Sequence, residues 1–138
     1  MINRLGDSLD FQGQALTLRS ERQRLLASNI ANADTPGYVA RDLDFASALR
    51  EATGTALAGT PALQALRTSL ATLSGGSAAE AHLRYAAPSQ TNLDGNSVDM
   101  DRERASFADN SVKYEATLRF INSHVRNMLD AMKSPQQG

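Results

Sequence analysis

The chain contains no cysteine and no tryptophan. Without thiols, disulfides, thiolate nucleophiles and zinc sites of the cysteine type are excluded, and cysteine usage says nothing of the redox compartment. Aromatic residues make up only 5% of the 138 residues, too little bulky material for a large closed core. Alanine, leucine, serine and arginine dominate instead, a composition suited to long helices that bury narrow seams. A formal net charge of −1 gives no electrostatic footprint for nucleic acid or an anionic membrane. No run approaches the roughly 20 apolar residues of a membrane span, and Gly6, Asp7 and Asp10 interrupt the apolar core that a cleavable secretion signal needs. Sec export and membrane insertion are not expected, and export by another route stays open.

What is present is helical periodicity at both ends. From about Leu9 to Asn32, Phe11, Ala15, Leu18, Leu25 and Asn32 form one 4,3 ladder, with Leu9, Leu16, Leu26 and Ile30 beside it. The combined arc is wider than the stripe of a helix lying on a single core. Arg19 and Arg22 fall inside this arc. Either they snorkel at its edges, or the helix has two partners and the arginines meet carboxylates on one of them.

The helix stops where Thr35-Pro36-Gly37 follows Asn29, Asn32 and Asp34. Proline forbids continuation, pushes Thr35 toward extended geometry, and with Gly37 fits the centre of a type II turn. Asn29 and Asn32 either cap the last carbonyls or fix the register of a packed seam. Tyr38 is either a subunit contact or a lid on the turn, with contact the preferred reading. Residues 41–50 read as an extended exit leading to a short helix from about Asp44 that ends by Gly54. Between Glu51 and Asn96, seven glycines and prolines forbid any long element. A short helix over Pro61–Leu73 and a short strand near His82–Tyr85 fit there.

In the last third, Met100, Arg104, Phe107, Ser111, Tyr114, Leu118, Ile121, Val125, Met128 and Met132 keep a 4,3 spacing. This predicts one helix from about Val98 to Met132, with caps in Asp94-Gly95-Asn96-Ser97 and with Asp99, Asp101 and Glu103 at the positive end of its dipole. The fold class is mostly α: two long terminal helices forming an antiparallel coiled-coil pair, joined by a weakly structured middle segment. Residues 1–33 read as an N-terminal assembly helix, 34–97 as turn and irregular middle, and 98–134 as a C-terminal assembly helix, together one helical domain drawn from both termini. The seams such a pair leaves uncovered call for lateral association. Leu18, Leu25, Leu26 and Ile30 on the first helix, and Phe107, Tyr114, Leu118, Ile121, Val125, Met128 and Met132 on the last, are the assembly-seam candidates.

Catalytic constellations are not found. His82 and His124 lack metal-ligand spacing, the Asp94–Asp101 stretch misplaces its glycine for a calcium loop, and no glycine-rich loop precedes a lysine. No catalytic residue, metal, cofactor or small-molecule substrate is expected.

The run Leu26-Ala27-Ser28-Asn29-Ile30-Ala31-Asn32-Ala33-Asp34-Thr35-Pro36-Gly37-Tyr38 resembles the N-terminal signature of bacterial flagellar rod and hook proteins, in which a helix ending in N-I-A-N precedes T-P-G-Y. Its signature residues are Asn29, Ile30, Ala31, Asn32, Thr35, Pro36, Gly37 and Tyr38. Residues 38–49, 93–103 and 107–111 are similar to one branch of that family, found in the proximal rod. The resemblance implies a structural subunit, exported through the flagellar type III apparatus without a cleaved signal and assembled by its terminal helices into the torque-bearing rod that spans the periplasm. Implied partners are further copies of itself, FlgC, the distal rod proteins, the adaptor FliE, the MS ring and the export gate. The alternatives are another axial protein of the family, such as FlgC, a soluble coiled-coil adaptor, or a peptidoglycan hydrolase.

Overall fold

A computed structural model describes residues 2–57, 83–85 and 93–133. Helix α1 spans Ile2–Ala31, a stretch free of proline. It ends as expected, with backbone bonds from Asn32 N to Ser28 O at 3.1 Å and from Thr35 N to Asn32 O at 3.0 Å tightening the chain out of the helix. The predicted turn follows. Tyr38 N donates to Thr35 O at 3.2 Å, and Gly37 has φ of 71°, the left-handed conformation that the third position of a type II turn demands.

The exit is extended. Strand β1, Arg41–Leu43, pairs antiparallel with β2, Leu83–Tyr85, with Asp42 opposite Arg84. The strand expected near His82–Tyr85 is thus present, with β1 as its partner. Helix α2 runs over Phe45–Leu57. Asp44 caps it, accepting from Ser47 N at 3.3 Å through its carboxylate and from Ala48 N at 2.9 Å through its carbonyl. The expected stop at Gly54 is not observed, because a glycine inside a helix costs only about 1 kcal/mol relative to alanine and does not break it. The helix expected over 61–73 lies outside the described residues.

Helix α3 spans Met100–Lys133. Its N-cap is Asp99, which accepts from Arg102 N at 3.2 Å through the side chain and from Glu103 N at 2.9 Å through the carbonyl; Asn96 and Ser97, expected as caps, are engaged elsewhere. Helices α1 and α3 lie antiparallel. Asn29 meets Glu103, Gln23 meets Ser111, and Arg19 meets Asn110.

On a different side of α1, Leu18 joins Leu43 and Ala48 in the main apolar cluster, with Leu25, Phe45 and Leu49 against it. Helix α1 therefore has two partners, α3 on one side and β1 with α2 on the other, which explains its wide apolar arc. Arg22 meets a carboxylate on the second partner, bonding Asp42 through Nε and a terminal nitrogen at 3.0 Å each. Arg19 does not; its guanidinium lies 4.4 Å from the centroid of the Phe45 ring.

Candidate assembly interface

At the end of the hairpin near the turn, two asparagines fasten segments far apart in sequence. Asn29 is 1% exposed, and its amide makes four bonds. The Nδ2 group donates to Arg41 O at 2.7 Å and to Glu103 Oε2 at 2.9 Å, while Oδ1 accepts from Arg41 N at 3.1 Å and from Tyr38 OH at 3.2 Å. Both backbone groups of Arg41 are paired by one side chain, as a neighbouring strand would pair them. Asn29 is thus the register-fixing residue. Asn32 takes the other role, capping α1 by donating to Ser28 O at 2.8 Å.

Asn96 completes the clasp from the other side. Fully buried, it donates to the carbonyls of Asn32 at 3.0 Å, Ala33 at 2.8 Å and Thr35 at 2.8 Å, which belong to the turn that follows α1. Its Oδ1 accepts from Val98 N at 2.8 Å. Backbone bonds from Gly37 N to Asp94 O at 2.8 Å and from Ser97 N to Tyr38 O at 3.0 Å bind the two turns together, and Ala40 N donates to Ser97 Oγ at 2.8 Å. Gly95 also sits at positive φ, and a Cβ on it would stand 3.7 Å from Gly37 Cα.

The Tyr38 hydroxyl is occupied within the chain by Asn29 and lies 3.1 Å from the Ser28 hydroxyl. Within the chain Tyr38 closes over the turn as a lid. Ala31, Thr35, Pro36 and Gly37 are exposed, while Ile30 and Asn32 are half-buried.

Along the helical pair, α3 turns a ladder of Glu103, Phe107, Asn110, Tyr114, Thr117, Ile121, His124 and Met128 inward, each buried or half-buried. Four of these rungs, Phe107, Tyr114, Ile121 and Met128, belong to the ladder expected from the sequence. The alternate rungs are shifted by one residue, from Arg104, Ser111, Leu118 and Val125 to Glu103, Asn110, Thr117 and His124. Helix α1 offers polar partners to two of the polar inward rungs, Glu103 and Asn110, while Thr117 donates to Lys113 O of its own helix at 2.8 Å. Asn110, with no exposed surface, donates to Arg19 O at 2.9 Å and to Gln23 Oε1 at 2.6 Å, and Gln23 donates to Ser111 Oγ at 2.6 Å. Leu118, Val125, Leu129 and Met132 are left at the surface, Met132 71% exposed. On α1, Leu18 and Leu26 are buried, and Leu25 and Ile30 half-buried.

Three ionisable groups around the site, Arg22, Asp44 and Asp109, are shifted toward their charged forms, and Arg19 is shifted the other way. The hydrogen bond to Asp42 raises the Arg22 pKa above its ordinary value. Bonding from Ser47 lowers that of Asp44, which also forms an ion pair with Arg84 across the β1–β2 end. Lys113 lowers that of Asp109. Burial, and then the charge of Arg22, lower that of Arg19. Among the described residues no group of His, Cys, Asp and Glu could hold a metal ion, and no helix is long and apolar enough to cross a membrane.

The chain is a helical hairpin clasped at one end, with Leu118, Val125, Leu129 and Met132 at the surface of α3. Residues 9–38 match the family described as flagella basal body rod protein. The chain is similar along its length to flagellar basal body rod proteins FlgB: 49% identical over 140 residues to that of Proteus mirabilis strain HI4320, covering all of both chains; 46% over 135 residues to that of Salmonella typhimurium, covering 96% of this chain and 98% of the relative; and 43% over 136 residues to that of Escherichia coli K12, covering 97% and 99%. The chain belongs to the FlgB family of flagellar basal body rod proteins and is a structural subunit of the flagellar rod.

Proposed function

We propose that this subunit builds the proximal part of the rod and acts without catalysis, passing torque across the periplasm through helices packed close to the rod axis. Its terminal segments, residues 1–33 and 98–134, form the assembly unit. Many small apolar contacts between neighbouring helices then share the load. The observation that carries this reading is the stripe of Leu118, Val125, Leu129 and Met132, which the chain's own fold leaves in water. Neighbours that would cover it are further copies of the chain, FlgC and the distal rod proteins, with FliE, the MS ring and the export gate at the base. Passage through the flagellar type III apparatus without a cleaved signal accords with the interrupted apolar pattern at residues 6–10.

The test is localisation and assembly together. Antibody labelling of isolated basal bodies is expected to place the chain at the base of the rod, and Val125→Asp or Ile30→Asp is expected to abolish swimming while the protein is still made. A carboxylate forced into a packed seam costs several kcal/mol. Normal swimming of both variants would sink the seam assignment, and muramidase activity of the purified chain would overturn the non-catalytic reading.

A further inference from the structure

Arg19 is held in place and left without an acceptor. The Phe45 ring covers one face of its guanidinium at 4.4 Å, and its Nε is buried with no hydrogen-bond partner. The terminal nitrogens have no hydrogen bond within the described chain either, yet unlike Nε they are not shut away from solvent. One turn along the helix, Arg22 shows the missing complement, a carboxylate bound through two parallel bonds of 3.0 Å. The carboxylate whose charge Arg19 feels, Asp109, is taken up by Lys113 at 2.7 Å. With one face on an aromatic ring, a guanidinium directs its donors edgewise, the arrangement that receives a carboxylate in plane.

The geometry points to Arg19 as the receptor for an aspartate or glutamate of a second copy of this chain, docked beside the junction of α1, α2 and α3. This rests on the rod-subunit reading, which sets copies side by side. The chain is charge-balanced enough to complement itself, with 14 basic and 15 acidic residues. Asp7, Asp10, Asp101 and Asp130 are exposed and have no ion pair among the described residues.

The experiment uses basal bodies isolated from cells whose only copy of the chain carries Arg19→Lys, treated with a zero-length carbodiimide that joins an amine to a carboxylate in contact. The expected product has twice the mass of the chain, and its digest joins position 19 to an acidic peptide of the same sequence. A link from position 19 confined to one chain, a link from it to a different protein, or no link from it in a sample where Lys113 and Asp109 do react would each overturn the inference. In parallel, Arg19→Gln is expected to lower the yield of complete rods at least tenfold at unchanged cellular levels, with Arg19→Lys restoring part of it and the exposed control Arg119→Gln leaving it unaltered. If the unmodified chain is absent from basal bodies, the rod reading fails. If it is present and Arg19→Gln assembles normally, only the carboxylate contact fails.

Discussion

The two ends of the helical pair are built on opposite principles. At the clasped end, around Asn29 and Asn96, buried polar groups are bonded to backbone from three separate segments. At the far end, α3 carries Val125, Leu129 and Met132 at 38%, 49% and 71% exposure. The first region is complete in the monomer and the second is not. Polar networks specify one geometry because leaving them half-made is costly, whereas an apolar stripe accepts any apolar neighbour of suitable shape. A subunit that must present a defined shape and then join others benefits from both, placed apart.

The largest effect is expected at the clasp. Asn29→Ala strands both backbone groups of Arg41 and leaves a cavity, and should destabilise the chain by about 3 kcal/mol, read as a shift of the urea midpoint by circular dichroism. Asn96→Ala removes the donor shared by three carbonyls of the turn after α1, two of which keep a backbone partner, and should cost about 2 kcal/mol by the same measurement. If either costs less than Val125→Asp does, the contrast between the ends is lost.

Acid probes the rim of the first region. The folded Asp44 pKa lies below its ordinary value, so its contribution is present above the unfolded carboxylate pKa near 3.9 and is lost as pH falls through the lower folded value. Asp44→Asn should therefore flatten the acid limb of a pH–stability curve below about pH 4, and an unchanged limb would remove Asp44 from the account. The smallest effect on the isolated chain is expected for Val125→Asp, within about 0.5 kcal/mol as for other surface changes, even though swimming is lost. Hydrogen exchange on the free subunit should show the same gradient, with amides of Gly37, Ala40 and Ser97 protected longer than those beyond residue 118.

The sequence made the elements legible and left their rotation hidden. Both long helices, the turn at Pro36-Gly37 and the short strand near Tyr85 follow from periodicity and from residues with restricted backbones. The inward rungs Glu103 and Asn110 do not, since apolar spacing is a signal of burial and these residues sit inward on hydrogen bonds that only the fold brings within reach. Asn96 was visible as a turn residue, but its true partners are 61 to 64 positions away. Arg22 was legible as an arginine in want of a carboxylate; the ring under Arg19 was not.

The separation of these partners also sets an order of events. The bonds that fasten α1 to α3 join residues 74 and 91 positions apart, and contacts that close such long loops form late. A chain emerging N-terminus first, from a ribosome or a narrow channel, holds α1 without its main partner until the final third follows. Delay is therefore written into the connectivity: the hairpin cannot shut before nearly all of the chain has emerged.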